Sequence, residues 1–402
     1  MSHCRTVCLA LLLLPTLVFG SEPSNRVEKT ALRTIEVVES VNPPLNPGAR
    51  KLILATDISD AYHRSLRSYL KGEQDLDLSS DPAVQFRIAA WVHGHISHDS
   101  YNTALDEATT LEILQRAIGG ERFSCADFSN VLKDLLGAFG FVSRVVSLQS
   151  PNIAYGSLGS GHVANEFWSN TLDKWIFVDA QWGLYARHRG RPLNFYEMAK
   201  LRQAGKFGEV EFLPVSPDTS SDPKKLKQKI REYRAFLKDY FGFLSARYRY
   251  VEQTVNMVLP LEGRSLPLTF QGLGRNGQML ITDPAEHYFS LNHTSILLYY
   301  RDQPTSGHPL SGVDTTSTDD YLARMPQFAA QPDYTVVLYS NTPWMDRYEF
   351  SVDGGAWKAL EDNTVTWTLH EGINRFAARA VNHAGIAGPK SVLAIRYGSA
   401  HR

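Results

Sequence analysis

The sequence predicts an α+β protein, on the strength of three observations. Up to about residue 250, apolar residues recur at helical spacing between shorter runs that are typical of strands. Beyond that point, short apolar runs are separated by Gly, Pro, Asn and Asp, as in β-rich domains. The 402 residues are 43% hydrophobic and 21% charged, a globular composition that excludes a disordered chain. At roughly 100–200 residues per domain, we expect two or three domains.

Residues 1–20 have the pattern of a cleaved secretory signal. Arg5 precedes an uncharged apolar run at 7–19, and 18–20 form a small-residue cleavage site. The apolar run has 13 residues, whereas a helix needs about 20 to cross a bilayer. We therefore expect a secreted or periplasmic protein without a membrane span.

The remaining chain divides into four predicted segments. Residues 21–50, rich in Ser, Asn and Pro, predict a flexible lead-in, and 51–250 predict a domain of mixed helices and strands. Residues 251–325 predict a β-rich domain or connector. Residues 326–398 predict a β-sandwich, because a hairpin signal centred on Asp353-Gly354-Gly355 is followed by three more strand patterns.

The charge balance argues against nucleic acid as a partner. Lys and Arg total 41 and Asp and Glu total 42, a net charge of −1, whereas nucleic-acid binding needs a basic face. One basic run, Lys224–Lys229, begins a predicted helix after Asp222-Pro223. We interpret it as a solvated helix face, since the aromatic residues follow the lysines and do not alternate with them.

Signal cleavage changes the meaning of the cysteine count. It removes Cys4 and Cys8 and leaves Cys125 as the one cysteine of the mature chain. A lone cysteine in an oxidising compartment is a buried inert thiol, an intermolecular bridge or a reactive nucleophile.

The residues around Cys125 favour the nucleophile. Ser124 and Asp127 have the spacing of a capping box, so Cys125 is the first residue of a predicted helix. The dipole and unpaired N–H groups at a helix start favour a thiolate. Cys125 does not lie on the apolar face of this helix. That face comprises Phe128, Val131, Leu132, Leu135 and Phe139.

A histidine and a carboxylate follow on two predicted strands. The strands begin at His162, end at Asp179 and are joined by a short turn around Asn170-Thr171. If Trp168 pairs with Asp173, His162 lies directly opposite Asp179 on one face of the hairpin. A slip of two residues keeps the two in diagonal contact, and a slip of one separates them. Asp179 can then orient the imidazole toward the thiol.

These motifs together resemble the transglutaminase-like superfamily, whose core is papain-like. The resemblance rests on Ser124–Asp127 with its helix, Gly140–Val146, His162–Phe167 and Trp175–Asp179, in that order, and covers roughly residues 80–200. The upstream Trp91–Asp99 is similar to the helix end that precedes the nucleophile in such proteins. Where many members carry an aromatic residue soon after the histidine, this sequence has Asn165-Glu166-Phe167.

The resemblance implies a papain-like cysteine core and a division of roles. Cys125 is the expected nucleophile, His162 the general base and acid, and Asp179 the orienting group. The implied chemistry is acyl transfer through a thioester, most simply by a protease or amidase acting on a protein or peptide substrate. A protein-crosslinking transglutaminase and a binding protein with a vestigial triad are the alternatives.

No cofactor or metal is expected. His93, His95 and His98 lack the spacing of a zinc motif, and no loop has a calcium-binding pattern.

The backbone N–H of Cys125 is an expected oxyanion donor, with a second from the Trp91–His98 segment. The region 326–398 is similar to immunoglobulin- and fibronectin-like modules, so we expect it to bind a cell-wall polymer, an extracellular polymer or a partner, or to act as a spacer.

Overall fold

The structure is a computed structural model of the chain. The residues that it describes are 33–44, 51–54, 57–73, 75–104, 108–151, 161–216, 222–250, 253–263, 277–300, 319 and 332–399. The predicted signal at 1–20, a Ser- and Gly-rich sequence at 152–160 and all but one residue of a polar sequence at 303–320 lie outside the described residues. Nearly all described residues belong to one compact unit, Ile35–Thr305 with Pro332–Tyr397.

Mixed helices and strands confirm the α+β prediction. The helices of the described part are α1 (Ala61–Glu73), α2 (Ala83–His95), α3 (Thr110–Ile118), α4 (Cys125–Ala138), α5 (Phe195–Gln203) and α6 (Pro223–Leu237), the last continued by a 3₁₀ turn at Lys238–Tyr240. Among these residues, no helix is long and apolar enough to cross a membrane.

The strands fall before, between and after these helices. They are β1 (Arg33–Val41), β2 (Lys51–Leu52), β3 (Ser97–His98), β4 (Arg122–Phe123), β5 (Ser143–Gln149), β6 (Gly161–Ser169), β7 (Lys174–Asp179), β8 (Leu184–His188), β9 (Arg191–Pro192), β10 (Glu211–Pro214), β11 (Phe243–Tyr250), β12 (Gln253–Pro260), β13 (Gly277–Leu280), β14 (Thr294–Tyr300), β15 (Asp333–Ser340), β16 (Met345–Val352), β17 (Lys358–Leu360), β18 (Thr364–Thr368), β19 (Gly372–Asn382) and β20 (Ser391–Ser399).

A ten-stranded sheet carries the residues of interest. Its main order is β10-β8-β7-β6-β5-β11-β12-β13, with β2 beside β11 and β9 beside β8. Side chains alternate between its two faces along each strand. On β7, Ile176 and Val178 join a core that includes α4, whereas Trp175 and Phe177 join a second core that includes α5 and α6. The sheet therefore separates two groups of helices.

A second pair of sheets packs around its own core. Five strands have the order β1-β20-β19-β16-β17, and three have the order β14-β15-β18. Trp367 of the three-stranded sheet contacts Phe376 of the five-stranded sheet, with ring centroids 5.3 Å apart. The predicted hairpin is confirmed, since Tyr348 pairs with Leu360 across a turn in which Asp353 and Gly354 have positive φ.

Two features differ from what the sequence predicts. The lead-in at 21–50 contains a strand, β1, whose β-branched residues favour extended backbone. The predicted border at 250/251 falls within the β11–β12 hairpin, where Tyr250 pairs with Gln253 in a single sheet. The division of the chain into domains stays a prediction.

Candidate active site

Cys125 is the first residue of α4, as predicted, and its side chain is half-buried. The carboxylate of Asp127 accepts hydrogen bonds from the Ser124 backbone N–H at 3.1 Å and from the Ser124 hydroxyl at 2.8 Å. It also accepts from the backbone N–H of Ala104 at 3.2 Å. Asp127 is buried, so one carboxylate fixes both the start of α4 and the backbone at Ala104, before α3.

The position of α4 follows from its apolar face. Phe128, Val131, Leu132, Leu135 and Phe139 are each at most 1% exposed, which confirms the predicted face. This face packs into the core that also holds Ile176 and Val178 of the sheet. Because burying such side chains stabilises a protein by about 1.5–3 kcal/mol each, the helix start cannot shift without large loss.

His162 and Asp179 meet diagonally across the β6–β7 hairpin. Trp168 pairs with Trp175, so the predicted pairing of Trp168 with Asp173 is wrong by two residues. The reason is a four-residue turn, 170–173, in which Asp173 has a left-handed φ of 50°. The slip is even, so both side chains stay on one face of the sheet, and His162 Nε2 lies 2.7 Å from Asp179 Oδ2.

The protonation of His162 is set by opposing effects. Burial lowers its pKa, but the charge and hydrogen bond of Asp179 and the interaction with Cys125 raise it more, to about 9. Since Nε2 bonds to Asp179, Nδ1 is the nitrogen left for Cys125. The imidazole is 3% exposed, so bulk water does not screen these interactions.

Asp179 has further partners that the sequence does not reveal. The Tyr233 hydroxyl of α6 donates to Asp179 Oδ2 at 3.0 Å, and the Trp182 backbone N–H donates to Oδ1 at 3.1 Å. Asp179 and Tyr233 are both fully buried. Tyr233 follows Asp179 by 54 residues, and nothing local in the sequence links the two.

Aromatic side chains from the end of α6 cover the imidazole. The ring of Phe236 meets that of His162 edge-on at 5.0 Å, and the ring of Tyr240 lies 6.1 Å away. Trp182 packs beside Phe236 at 5.4 Å. Phe236 and Trp182 are partly exposed, so they form an accessible aromatic surface next to His162.

His98 lies beside the strand that leads into α4. Strands β3 and β4 are parallel, and His98 is opposite Phe123, two residues before Cys125. Burial lowers the pKa of His98, and the charge of His162 lowers it further. His98 is only partly buried, so it is available to a substrate as a neutral imidazole.

The residues after the histidine do not form a substrate-side wall. Asn165, Glu166 and Phe167 are fully buried. Glu166 forms a salt bridge with Arg144, and both side chains are enclosed by the protein. These positions are structural.

The upstream histidines have other partners. His93 Nδ1 donates to the Ala180 carbonyl at 3.0 Å, and Lys229 Nζ donates to His93 Nε2 at 3.1 Å. His95 stacks on Trp91 at 3.9 Å. Over the described ranges, no group of three or more His, Cys, Asp or Glu side chains could hold a metal ion.

Comparison with known proteins leaves the family open. No family model and no curated protein matches the chain. One similar solved structure is a protein from Cytophaga hutchinsonii whose assignment as a cysteine protease is provisional, with 14% identity and a TM-score of 0.23 over 38% of this chain. The chain spans about half, 47%, of that protein's length.

The chain is also similar to red sea bream transglutaminase. The identity is 10% and the TM-score 0.23, over 85% of this chain and 73% of that protein. At these values neither likeness carries weight for the chemistry, which depends on the geometry of the site.

Proposed function

We propose that the protein is a cysteine enzyme that hydrolyses peptide or carboxamide bonds through a thioester, with Cys125, His162 and Asp179 as its triad. The observation that carries the proposal is the position of His162, whose Nε2 bonds to the buried Asp179 carboxylate at 2.7 Å and whose pKa is raised in part by its interaction with Cys125. This is the arrangement that activates a nucleophile by an adjacent, oriented base.

The first step uses the ion pair between thiolate and imidazolium. The Cys125 sulfur attacks the carbonyl carbon, so that a C–S bond forms and the carbonyl oxygen becomes negative. As the tetrahedral intermediate collapses, the C–N bond breaks and His162 transfers its Nδ1 proton to the departing amine. The products of this step are a free amine and a thioester on Cys125.

In the second step, His162 acts first as a base. Water attacks the thioester carbon while neutral His162 accepts its proton, and the C–S bond then breaks. A carboxylic acid leaves, and the thiolate–imidazolium pair is restored. Throughout, Asp179 holds the imidazole through Nε2.

Two donors can stabilise the oxyanion. The backbone N–H of Cys125 belongs to the first helical turn, whose N–H groups have no partner within the helix. We assign the second donor to His98, the residue of the predicted Trp91–His98 segment that lies beside the helix start. Its neutral imidazole can donate an N–H to the oxygen.

We also propose that the enzyme acts outside the cytoplasm on protein or peptide substrates, with the C-terminal sheets binding an extracellular or cell-wall polymer. The sequence of residues 1–20 supports the location. The location can be tested by expressing the full chain in its host and sequencing the N-terminus of the exported protein. An intracellular protein that begins at Met1 would exclude this part of the proposal.

The reaction is tested by incubating the protein and a Cys125→Ala control with a mixed protein substrate and a tagged primary amine. Intact-mass analysis should show cleaved products that depend on Cys125. Incorporation of the amine at glutamine would instead mean a crosslinking transglutaminase. In the cleavage assay, His98→Ala should lower kcat by on the order of 10²-fold and leave Cys125 alkylation largely unchanged.

A binding protein with a vestigial triad would give neither product. To separate it from an active enzyme given the wrong substrate, the rate of Cys125 alkylation is measured as a function of pH.

A further inference from the structure

Helix α6 faces the triad with three side chains from one stripe of its surface. Lys229, Tyr233 and Phe236 occur at spacings of four and three residues, which places them on the same side of the helix. Tyr233 bonds to Asp179, Phe236 covers the ring of His162, and Lys229 bonds to His93.

The contact of Tyr233 is the most direct of the three. Its hydroxyl donates to Oδ2 of Asp179, the same oxygen that binds His162 Nε2. Trp182 packs against the Tyr233 ring at 5.2 Å and donates its own backbone N–H to Oδ1. Three donors from three parts of the chain therefore fix both oxygens of one buried carboxylate.

On this geometry, and resting on the proposed function, we propose that Tyr233 is a positioning residue of the triad. Its hydroxyl holds the plane of the Asp179 carboxylate, and through it the ring of His162, in the orientation that proton transfer requires. It touches neither the substrate nor the thiol.

The hydroxyl also affects how strongly Asp179 attracts the imidazolium of His162. Burial raises the pKa of Tyr233 well above its usual value, and the charge of Asp179 raises it further, so Tyr233 remains a donor across the working range of pH. A donor on a carboxylate disperses its negative charge. Without the hydroxyl, Asp179 should hold the imidazolium more strongly.

Other titratable side chains near His162 and Asp179 come from several elements. Removing only the Tyr233 hydroxyl leaves these side chains unchanged. They are Cys125 of α4, His98 of β3, His93 of α2, Lys229 of α6 and Tyr240 of the following 3₁₀ turn.

The test is Tyr233→Phe, which removes one oxygen and keeps the ring. The titration of His162 is followed by NMR of the protein labelled with ¹³C-histidine, and kcat/KM is measured on the cleaved substrate. We expect the His162 midpoint to rise by about half a unit or more. We expect kcat/KM to fall roughly tenfold through kcat, with KM little changed.

Tyr62→Phe is a matched control. The Tyr62 hydroxyl donates to Asp134 at 2.9 Å, so the variant also removes a tyrosine–carboxylate hydrogen bond. Asp134 lies nine residues along α4 from Cys125, or about 13 Å. Tyr62→Phe should leave the titration of His162 and kcat unchanged.

Two further variants separate positioning from loss of fold. Adding Tyr233→Phe to Asp179→Ala should produce no additional shift in the His162 titration, because the hydroxyl acts through Asp179. Placing p-aminophenylalanine at position 233 restores a donor and should restore both the midpoint and kcat.

An unchanged His162 midpoint in a folded Tyr233→Phe protein would overturn the proposal, as would an equal shift in the Asp179→Ala background. Neither readout needs a substrate, so an inactive protein leaves the test intact. Failure of the proposed function is recognised by a different result: the His162 titration then does not respond to Cys125→Ala.

Discussion

The proton on His162 decides both the reactivity and the pH range of the site. In the folded protein its pKa is raised to about 9, since Asp179 and Cys125 outweigh the effect of burial. The imidazolium can therefore protonate a leaving amine at neutral pH. As the pH rises through about 9, that proton is lost.

We accordingly predict that amide cleavage falls as the pH increases above about 9. The reason is that acylation requires His162 to protonate the amine. The measurement is a profile of kcat/KM from pH 6 to 10.5. An activated ester, whose leaving group needs no proton, is the matched control and should show a weaker fall. Amide cleavage that continues to rise at pH 10 would contradict the assignment of His162 as general acid.

The stability of the fold should also depend on the proton of His162. The pKa of His162 is raised from 6.5 in the unfolded chain to about 9 in the folded protein, so protonation of His162 stabilises the fold. This contribution is complete below pH 6.5. That contribution is lost as the pH rises through about 9. Cys125→Ala removes one of the causes of the shift, so its melting temperature should fall less across this window.

At the level of single residues, the sequence predicts the helix start at Cys125 and the contact between His162 and Asp179, but not the side chains around them. The position of Cys125 at a helix start follows from Ser124 and Asp127, because capping is a local interaction. The hydrogen bond from Tyr233 could not be predicted, since it depends on how α6 packs against β7. The sequence predicts a helix at α6 and a solvated basic first turn, where Lys224 and Lys225 are exposed. It does not predict which side of α6 packs against the sheet.

At the level of elements, the start of α4 is held by Asp127. We predict that Asp127→Ala lowers the free energy of unfolding by about 1–2 kcal/mol, because a buried cap and its bond to Ala104 are lost. It should also slow alkylation of Cys125 several-fold, since the first turn of the helix is loosened. The measurements are chemical denaturation and the alkylation rate at pH 7.

Thr109→Ala provides the control for this prediction. Thr109 caps α3 in the same manner, with Glu112 completing the capping box. Its loss should cost about 1 kcal/mol without affecting Cys125. Equal slowing of alkylation in both variants would show that general loosening, and not the α4 cap, is responsible.

The hairpin of β6 and β7 shows the limit of predicting register. The alternation of apolar residues predicts which face His162 and Asp179 share, because an even slip preserves it. The length of the turn decides which residues are directly opposite. A left-handed φ at Asp173 is not evident from its residue type, so the pairing is offset by two from the prediction.

At the level of the whole molecule, one buried ion pair joins distant parts of the chain. Arg144 of β5 bonds to Glu166 of β6 at 2.5 Å and to the carbonyl of His287 at 2.6 Å. Glu166 also accepts from the Phe195 backbone N–H and from the Tyr288 hydroxyl. The cluster thus connects the central sheet to α5 and to the segment that precedes β14.

We predict that Arg144→Met lowers the free energy of unfolding by about 3–5 kcal/mol, because it leaves the carboxylate of Glu166 buried without its cation. The double variant Arg144→Met with Glu166→Gln should be less destabilised than the single one. Thermal and chemical unfolding measure both. A loss under 1 kcal/mol for Arg144→Met would show that the pair is dispensable.

The α+β class is evident from the sequence, whereas the arrangement of the sheets is not. Strands β11 to β13 continue the central sheet beyond the predicted border at 250, because pairing between distant strands leaves no trace in local composition. Likewise, β1 joins the five-stranded sheet beside β20 although more than 300 residues separate them in sequence.

The thiolate–imidazolium pair is tested by the rate of Cys125 alkylation by iodoacetamide from pH 5 to 10, in the wild type and in His162→Ala. We predict rapid modification of the wild type already at pH 6, where an ordinary thiol, which ionises near pH 8.5, is largely unreactive. We predict that His162→Ala reacts only at alkaline pH. An alkaline profile common to both proteins would contradict the thiolate–imidazolium pair and, with it, the proposed enzyme.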